Sequence, residues 1–336
     1  MSQKVLFIPS KQAPFEVGTA EIHKPGHGEI LIKVQAIGLN PIEWKQHAFG
    51  LLIDSYPAIV GQDAAGVVEE VGAGVTNFVK GDRVAARGAF NSNAHATYQQ
   101  YMLAPADLSA KLPSNISFEE AASLPTGVDT ATVGLFGPMD AKLISPVETL
   151  GAYKGQSILI IGGSGSVGAY AIQLARLSGF TTIIATASAR HEAYLKSLGA
   201  THVIDRNLPE AEVTQAVANI SKGIKVVFDT ITEENTQKIG WAVLASGGHM
   251  CTTHVTSIKP QEGDSRKAKW VLSVPTMPPN RPVCSAMWAQ FTKWLEDGSI
   301  RPNKVEVIPG GLEGIAAGLD RLKTDQVSGV KLVVTL

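Results

Sequence analysis

The sequence predicts an α/β fold in which a compact β-barrel is joined to a doubly wound parallel sheet. The chain has 336 residues, more than a single hydrophobic core usually supports, so we expect two domains. Residues 1–125 contain short apolar runs separated by Gly and Pro, a spacing typical of a barrel. After Lys154, strand-like and helix-like runs alternate, which indicates a parallel sheet with helices between its strands.

Three runs in the first 125 residues justify the barrel. The run EILIKVQAIGL (29–39) alternates between apolar and polar residues as a strand does. The run AAGVVEEVGAG (64–74) predicts a strand that ends in a tight glycine corner, and GDRVAA (81–86) predicts a strand after a turn.

The parallel sheet is predicted from the middle of the chain. A helical run begins at residues 126–136, and the run SILIIGG (157–163) is continuously apolar, as expected of a strand buried on both faces. Apolar residues at helical spacing follow it and end at Gly179. Further strands are predicted at 181–188, 201–206, 225–231 and 246–253, with a helix at 190–200.

The last part of the chain begins with a proline-rich loop, because four prolines between 275 and 282 cannot belong to a central strand or helix. Beyond it we predict an amphipathic helix at about 283–298, a short helix near 312–323 and a closing strand in GVKLVVTL. We expect this tail to return to the barrel. The predicted domains are therefore 1–125 with 271–336, and 126–270.

Composition excludes several classes of function. The net charge of −1 gives no reason to expect nucleic acid or an anionic membrane as a partner. No apolar run approaches the roughly 20 residues that span a bilayer, and the first residues do not form a secretory signal. Two cysteines are too few for a disulfide framework or a four-cysteine zinc site. A cytoplasmic location is predicted.

The run GGSGSVG contains the spacing G-x-G-x-x-G at Gly163, Gly165 and Gly168. It follows an apolar strand and opens a helix, which is the context of a dinucleotide-binding turn. We assign the tight turn to Gly163, backbone approach to a pyrophosphate to Gly165, and close packing of helix on strand to Gly168. The alternative is a turn with a structural role only.

The residues after the next strand favour NADPH over NADH. A site for NADH usually carries Asp or Glu there, whereas this chain has ATASARH and no acid. Ser188 and Arg190 could bind a 2′-phosphate, and Arg206 follows the third strand on the same side. The alternative for Arg190 is a solvated charge in the first turn of a helix.

These motifs, in this order, resemble the medium-chain dehydrogenase/reductase superfamily over nearly the whole chain. The matching runs include GQDAAGVVEEVGAGVTNFVKGDRV (61–84), GGSGSVGAYAIQLAR (162–176) and SGGHM (246–250). The resemblance implies a GroES-like β-barrel catalytic domain and a Rossmann doubly wound sheet.

The zinc alcohol dehydrogenases of that superfamily are disfavoured. Their catalytic cysteine would fall in GLNPIE, which has none, and their Gly-His-Glu is replaced by Gly61, Gln62 and Asp63. His47 and Asp63 remain as possible ligands but make a poor site, since zinc requires three or four converging ligands. We therefore predict a zinc-independent protein with no metal.

The metal-free branch contains quinone reductases and enoyl reductases, and LNPIEWK with ASARH looks most like fungal trans-acting enoyl reductases. A tyrosine is more usual at the position of Arg206. The cofactor-binding residues that the resemblance implies are Asn40, Pro41, Trp44, Lys45, Gly163, Ser164, Gly165, Ser166, Val167, Gly168, Ser188, Arg190, His191, Arg206, Ile231, Thr232, Thr252, Thr253, Ser328 and Gly329.

The resemblance also implies how the reaction would proceed. Hydride would pass to the β-carbon of an enone or enoyl thioester, while hydrogen bonds stabilise the developing enolate. The candidate catalytic residues are Lys45, Thr130 and Tyr98, with Thr126 and Asp129 on the same substrate-lining run. For Lys45 the alternative is a surface lysine, and for Tyr98 it is packing in the barrel.

The function predicted is an NADPH-dependent oxidoreductase (an enoyl reductase) that reduces the C=C bond of α,β-unsaturated carbonyls. An NADPH:quinone reductase and a dinucleotide-binding protein without turnover are the alternatives. The substrate would be a small unsaturated carbonyl compound, free or as an acyl thioester on a partner synthase. The chain would be a monomer or a homodimer.

Overall fold

The computed structural model describes all residues from 1 to 336, and their contacts divide the chain into two units. We call Met1–Thr126 with Trp288–Leu336 the antiparallel unit, and Gly127–Met287 the parallel unit. The first boundary lies one residue from its predicted place, and the second lies at 287/288 instead of 270/271. The proline-rich segment stays with the parallel unit because Val271 N donates to the Thr252 carbonyl at 2.9 Å.

The amino-terminal part of the antiparallel unit contains eight strands and two helices. The strands are β1 (Ser2–Ile8), β2 (Glu16–Glu21), β3 (Glu29–Gly38), β4 (Ala58–Ile59), β5 (Asp63–Val71), β6 (Arg83–Arg87), β7 (Tyr101–Pro105) and β8 (Ser109–Lys111), and the helices are α1 (Pro41–Phe49) and α2 (Phe118–Ala121). The strands predicted at 29–39, 64–74 and 81–86 are confirmed as β3, β5 and β6. These three form consecutive antiparallel pairs.

The parallel unit alternates strands and helices as predicted. Its helices are α3 (Pro125–Phe136), α4 (Ser166–Leu177), α5 (Glu192–Leu198), α6 (Glu210–Ile220), α7 (Glu234–Val243) and the beginning of α8 (Arg281–Glu296). Its strands are β9 (Ser157–Ile161), β10 (Thr182–Ala187), β11 (His202–Asp205), β12 (Ile224–Asp229), β13 (Leu244–Thr252) and β14 (Lys267–Trp270).

The six strands of the parallel unit form one parallel sheet in the order β11-β10-β9-β12-β13-β14. The chain moves from β9 towards β10 and β11, and then crosses to β12 on the other side of β9. This reversal of strand order is the feature that defines a doubly wound sheet, and it places a crevice at the carboxyl end of β9. The predicted fold class is confirmed.

The carboxyl-terminal part of the chain returns to the antiparallel unit, as predicted. It contains β15 (Val305–Ile308), α9 (Ile315–Lys323) and β16 (Lys331–Thr335). Strand β16 pairs with β15 in parallel and with β3 in antiparallel orientation, which completes a seven-stranded sheet. Position 331 therefore lies beside the end of β3, close to the start of α1.

Each unit has a hydrophobic core of its own. The core of the antiparallel unit includes Ile32 and Ile37 from β3 and Leu332 and Val334 from β16. The core of the parallel unit includes Leu159, Ile184 and Val227 from its central strands, together with side chains of the helices that cover them. None of the helices combines the length and the apolar character that crossing a bilayer requires.

Candidate functional site

The glycine corner between β9 and α4 is built around a residue that the sequence analysis passed over. Gly162 has a φ of +81°, and a Cβ placed on it would lie 2.6 Å from Thr230 Oγ1. Gly163, to which we had assigned the tight turn, has no positive φ. Close packing requires a glycine at this position instead, because a Cβ added to Gly163 would lie 2.9 Å from the Cβ of Ala185.

The other two glycines have the geometry expected of a pyrophosphate cradle. A Cβ on Gly165 would meet only the Gly162 carbonyl oxygen at 3.4 Å, so the space above this residue is open. A Cβ on Gly168 would lie 2.3 Å from the same oxygen, so the helix can approach the turn only without a side chain there. The amides that begin α4 and the partial positive charge of its amino terminus face an anion at such a corner. These residues fit a dinucleotide.

Two substitutions distinguish Gly168, which is required for packing, from Gly165, which belongs to the expected pyrophosphate cradle. Gly168→Ala is expected to lower the free energy of unfolding by about 1–3 kcal/mol, because the methyl group forces α4 away from the turn. Gly165→Ala is expected to fold normally, since its φ of −73° suits alanine, yet to weaken dinucleotide binding. Chemical denaturation and fluorescence titration measure the two effects. Equal losses of stability in both variants would contradict this division.

The candidate residues for the adenosine phosphate are gathered at the carboxyl ends of β10 and β11. Ser188 directly follows β10, and Arg206 N donates to the carbonyl of Ala187 at 3.0 Å. Arg190 is exposed, and its Nε lies 3.3 Å from Nε2 of His191. No carboxylate pairs with Arg190 or Arg206. The prediction that these residues bind a 2′-phosphate stands as a prediction.

The loops after β12 and β13 are organised by a buried carboxylate. Asp229 has no exposed surface and accepts hydrogen bonds from Ile231 N at 3.0 Å, Thr232 N at 2.9 Å and Thr236 Oγ1 at 2.8 Å. Burial raises the pKa of Asp229. Thr253 N donates to Thr232 Oγ1 at 3.1 Å, so the two loops are joined. The structure thus brings together Ile231, Thr232, Thr252 and Thr253, whereas the sequence analysis assigned no role to Asp229.

In the antiparallel unit, α1 begins at a polar cluster that has almost no contact with solvent. Asn40 precedes the helix, and Nδ2 of Asn40 donates to Glu43 Oε1 at 3.0 Å and to Asp63 Oδ2 at 3.0 Å. The backbone N of Asn40 donates to the second oxygen of Glu43. Lys331 Nζ donates to Asp63 Oδ2 at 2.7 Å and to Asn40 Oδ1 at 2.5 Å.

Asp63 is the centre of this cluster. Its Oδ1 accepts from Thr126 N at 2.7 Å and from Thr126 Oγ1 at 2.6 Å. Glu43 and Asp63 have no exposed surface, and Lys331 is 4% exposed. We call Asn40, Glu43, Asp63, Thr126 and Lys331 the buried polar cluster. It joins the start of α1, the start of β5, the start of β16 and the first turn of α3.

The buried polar cluster contains two carboxyl groups, those of Glu43 and Asp63, and only one ammonium group, that of Lys331. Burial raises the pKa of Glu43 to about 8, the negative charge of Asp63 adds to the shift, and the Lys331 ammonium opposes it. Glu43 is therefore mostly protonated at neutral pH, which leaves one carboxylate opposite one ammonium. Burial, followed by the charges of Glu43 and Asp63, also raises the pKa of Tyr98 well above its usual range.

The remaining candidate residues of the antiparallel unit differ in their burial and in their contacts. Tyr98 is fully buried and its hydroxyl makes no hydrogen bond, a placement that favours the packing interpretation. Trp44 is half-buried, and Lys45 Nζ lies 5.6 Å from the centre of its indole ring. Burial lowers the pKa of Lys45. Pro41 occupies the first turn of α1, and Ser328 and Gly329 precede β16.

In the parallel unit, Thr130 and Asp129 are both buried on α3. Thr130 is 8% exposed to solvent, and Asp129 is 1% exposed. Their catalytic and substrate-lining roles stay predictions.

Two family models match the chain, one within the antiparallel unit and one within the parallel unit. A model described as the alcohol dehydrogenase GroES-like domain matches residues 26–114, and one described as zinc-binding dehydrogenase matches residues 166–268. A trans-enoyl reductase of a Penicillium species is 32% identical over 338 residues, which cover 94% of this chain and 93% of that protein. The chain belongs to the medium-chain dehydrogenase/reductase superfamily.

Further relatives of this superfamily agree with that placement. A trans-enoyl reductase of Gibberella fujikuroi is 32% identical over 334 residues, covering 92% of each chain. An alcohol dehydrogenase superfamily protein of Novosphingobium aromaticivorans has a solved structure with a TM-score of 0.81 and 24% identity, covering 99% of each chain, and shows the fold. Membership in the medium-chain dehydrogenase/reductase superfamily implies an oxidoreductase that uses a nicotinamide dinucleotide.

One of the two family descriptions implies zinc, and the side chains present do not fit it. Both oxygens of Asp63 accept hydrogen bonds within the buried polar cluster. Nε2 of His47 donates to the carbonyl of Ala13 at 2.8 Å, and its ring stacks on Phe15. No group of three or more His, Cys, Asp or Glu side chains in the structure could hold a metal ion.

Sequence analysis missed Glu43 and Lys331 of the buried polar cluster. The available signal was a charged residue flanked on both sides by apolar residues, Glu43 in PIEW and Lys331 in VKLVV. Such a residue is buried only if another element supplies its partner. The partner of Lys331 lies 268 positions away in the chain, so no local pattern could identify it.

Proposed function

We propose that the chain is an NADPH-dependent reductase of carbon–carbon double bonds conjugated to a carbonyl group. The observation that carries the cofactor assignment is the edge formed by Ser188, Arg190 and Arg206, in which no acid follows β10 and neither guanidinium group has a carboxylate partner. A carboxylate at this edge would accept hydrogen bonds from the ribose of NADH, whereas guanidinium groups pair with a 2′-phosphate. The names of the fungal relatives support the reaction class.

The proposed reaction adds one hydride and one proton across the double bond. Bound NADPH supplies the hydride that goes to the β-carbon, and the C=C electron pair moves towards the carbonyl oxygen as an enolate. Hydrogen-bond donors of the chain would stabilise that oxygen, and Lys45 and Thr130 are the candidates. The α-carbon then takes a proton from a side chain or from water, which completes the saturated carbonyl product.

The substrate and assembly are part of the same proposal. A small unsaturated carbonyl compound would be reduced either free or as a thioester on a partner synthase, in the cytoplasm. The chain would act as a monomer or a homodimer. An NADPH:quinone reductase is the second candidate, since it uses the same cofactor edge.

The experiment that tests the reaction is NADPH oxidation by chelator-treated protein with enones, enoyl thioesters, quinones and aldehydes, with the products identified. Saturated carbonyl products from enones or enoyl thioesters are the expected result. Turnover confined to quinones would replace the proposal by a quinone reductase, and binding without turnover would replace it by a non-catalytic dinucleotide-binding protein. Allylic alcohol products, or loss of activity with the chelator, would contradict it.

Arg190→Ala tests the cofactor assignment. The variant is expected to raise the dissociation constant of NADPH at least about tenfold, because a charge-assisted hydrogen bond to the 2′-phosphate contributes roughly 1.5–3 kcal/mol. The dissociation constant of NADH should not change. Lys196→Ala, on the neighbouring helix α5, is the control and should change neither constant. Equal weakening of both cofactors by Arg190→Ala would disprove the phosphate contact.

A further inference from the structure

A pocket of about 790 Å³ lies at the end of the parallel sheet opposite the glycine corner. Its wall is formed by Lys225 and Val226 at the start of β12, by 247–249 of β13, by 265–269 and by the loop 138–143 after α3. Val226 pairs with Ile158 and with His249, near the amino end of β9. The glycine corner follows the carboxyl end of β9, so the two sites are separate. We call this the basic pocket.

The basic pocket has a large excess of positive charge in a chain whose net charge is −1. A single acid, Asp140, faces five basic residues, which are Lys142, Lys225, Arg266, Lys267 and Lys269. Only Arg266 has a carboxylate partner, Asp264, at 2.7 Å. Lys225 and Lys269 donate to backbone carbonyls, and Lys142 and Lys267 have no hydrogen-bond or ion-pair partner. Several ammonium groups therefore remain available to an anion.

Two buried polar atoms among the residues of the basic pocket lack hydrogen bonds. Asp140 is 3% exposed, and its Oδ1 has no partner. Nε2 of His249 is also buried and without a partner. An unsatisfied buried polar atom costs roughly 1–3 kcal/mol, so native structures rarely keep one without a ligand or water. The pocket thus offers an unused acceptor beside its cationic groups.

At neutral pH the basic pocket has a neutral imidazole and an ionised carboxylate among its lining residues. Burial lowers the pKa of His249 to about 4, and the nearby Lys267, Lys269 and Lys142 add to the shift, so the imidazole is neutral. Burial raises the pKa of Asp140 to about 6, against the opposing charge of Lys269, so this carboxyl is mostly ionised at pH 7. An ionised carboxylate repels an anion but accepts from a hydroxyl or amine.

We propose that the basic pocket binds a small phosphate monoester that carries hydroxyl groups, as a sugar phosphate does. The phosphate would be held by Lys142, Lys267 and their neighbours, and a hydroxyl group would donate to Asp140. A phosphate with two negative charges matches the excess of cations better than a single carboxylate. This site does not depend on the proposed reductase activity, because no residue of the glycine corner contributes to it.

Calorimetric titration of the full chain at constant ionic strength tests the proposal. The probes are ribose 5-phosphate, inorganic phosphate and ribose. Ribose 5-phosphate is expected to bind with a stoichiometry of one, more tightly than either of the other two. The double variant Lys142→Ala/Lys267→Ala should weaken it at least tenfold, whereas Lys154→Ala/Lys222→Ala, two exposed lysines outside the pocket, should not. Absence of saturable binding, or equal weakening by both double variants, would overturn the proposal.

Asp140→Asn tests the role of the acid separately. It should weaken ribose 5-phosphate relative to inorganic phosphate, because only the sugar has a hydroxyl for Asp140. Inorganic phosphate should bind as well as before or better, since a negative charge is removed. If the two affinities change by the same factor, Asp140 does not contact the ligand as proposed. Thermal unfolding of the variant separates this effect from a loss of fold.

Discussion

Lys331→Met is expected to lower the free energy of unfolding by about 3–5 kcal/mol, the usual result of removing one partner of a buried ion pair. The variant keeps most of the side-chain volume but leaves the Asp63 carboxylate buried without its cation. Asp63 lies at the centre of the buried polar cluster, so the start of α1 loses its support as well. Urea denaturation followed by circular dichroism measures the change. Lys323→Met, an exposed lysine at the end of α9, should stay within about 0.5 kcal/mol of the unchanged protein.

The double variant Lys331→Met/Asp63→Asn distinguishes the charge from the packing. Removing both charges eliminates the uncompensated ion, so the double variant should be more stable than Lys331→Met alone. The two substitutions would then be strongly non-additive, as expected of residues in direct contact. Additive losses would show that the pair does not interact in the way the 2.7 Å contact indicates.

The second large effect expected is a fall in stability with rising pH that depends on Glu43. The pKa of Glu43 is about 8 in the folded chain and has its ordinary value of 4.5 when the chain unfolds. Between these values only the folded chain holds the proton, so a rise in pH favours unfolding by about 1.4 kcal/mol per pH unit. The contribution of Glu43 is complete below pH 4.5 and lost as the pH rises through 8.

Above pH 6.5, His249 and Asp140 no longer contribute to the pH dependence of stability. The lowered pKa of His249 changes stability only between about 4 and 6.5, and the raised pKa of Asp140 acts only up to about 6. The groups that face Glu43 are Asp63, Lys331 and Tyr98, and burial keeps the Tyr98 phenol protonated.

Unfolding by urea at pH 6.5 and pH 8 compares the unchanged protein with Glu43→Gln. We expect the unchanged protein to lose about 2 kcal/mol more than the variant over this interval. Glu313→Gln, an exposed residue of the same unit, should behave as the unchanged protein does. The same pH dependence in Glu43→Gln and in the unchanged protein would mean that Glu43 is already ionised at pH 6.5.

Local patterns determined the fold class and most of its elements. Strands β3, β5 and β9 and helices α3 and α5 lie close to their predicted positions because their periodicity reports which faces are buried. The run G-x-G-x-x-G lies at the turn between β9 and α4, as predicted, since the spacing of its glycines follows from the turn itself, and its binding of a dinucleotide stays a prediction. The assignment of the tight turn to Gly163 was wrong, because the positive φ of +81° belongs to Gly162. That backbone angle depends on how β9, β12 and α4 meet.

Tertiary structure alone decided the rest. The sequence determined that a Rossmann-type sheet and a barrel are present and where the glycine-rich turn lies. It could not show that Glu43, Asp63 and Lys331 share one cluster, because their contacts join distant parts of the chain. The basic pocket has the same origin, since its lysines lie on β12, β14 and the loop after α3. Burial, and with it the pKa of a side chain, is a property of the assembled core.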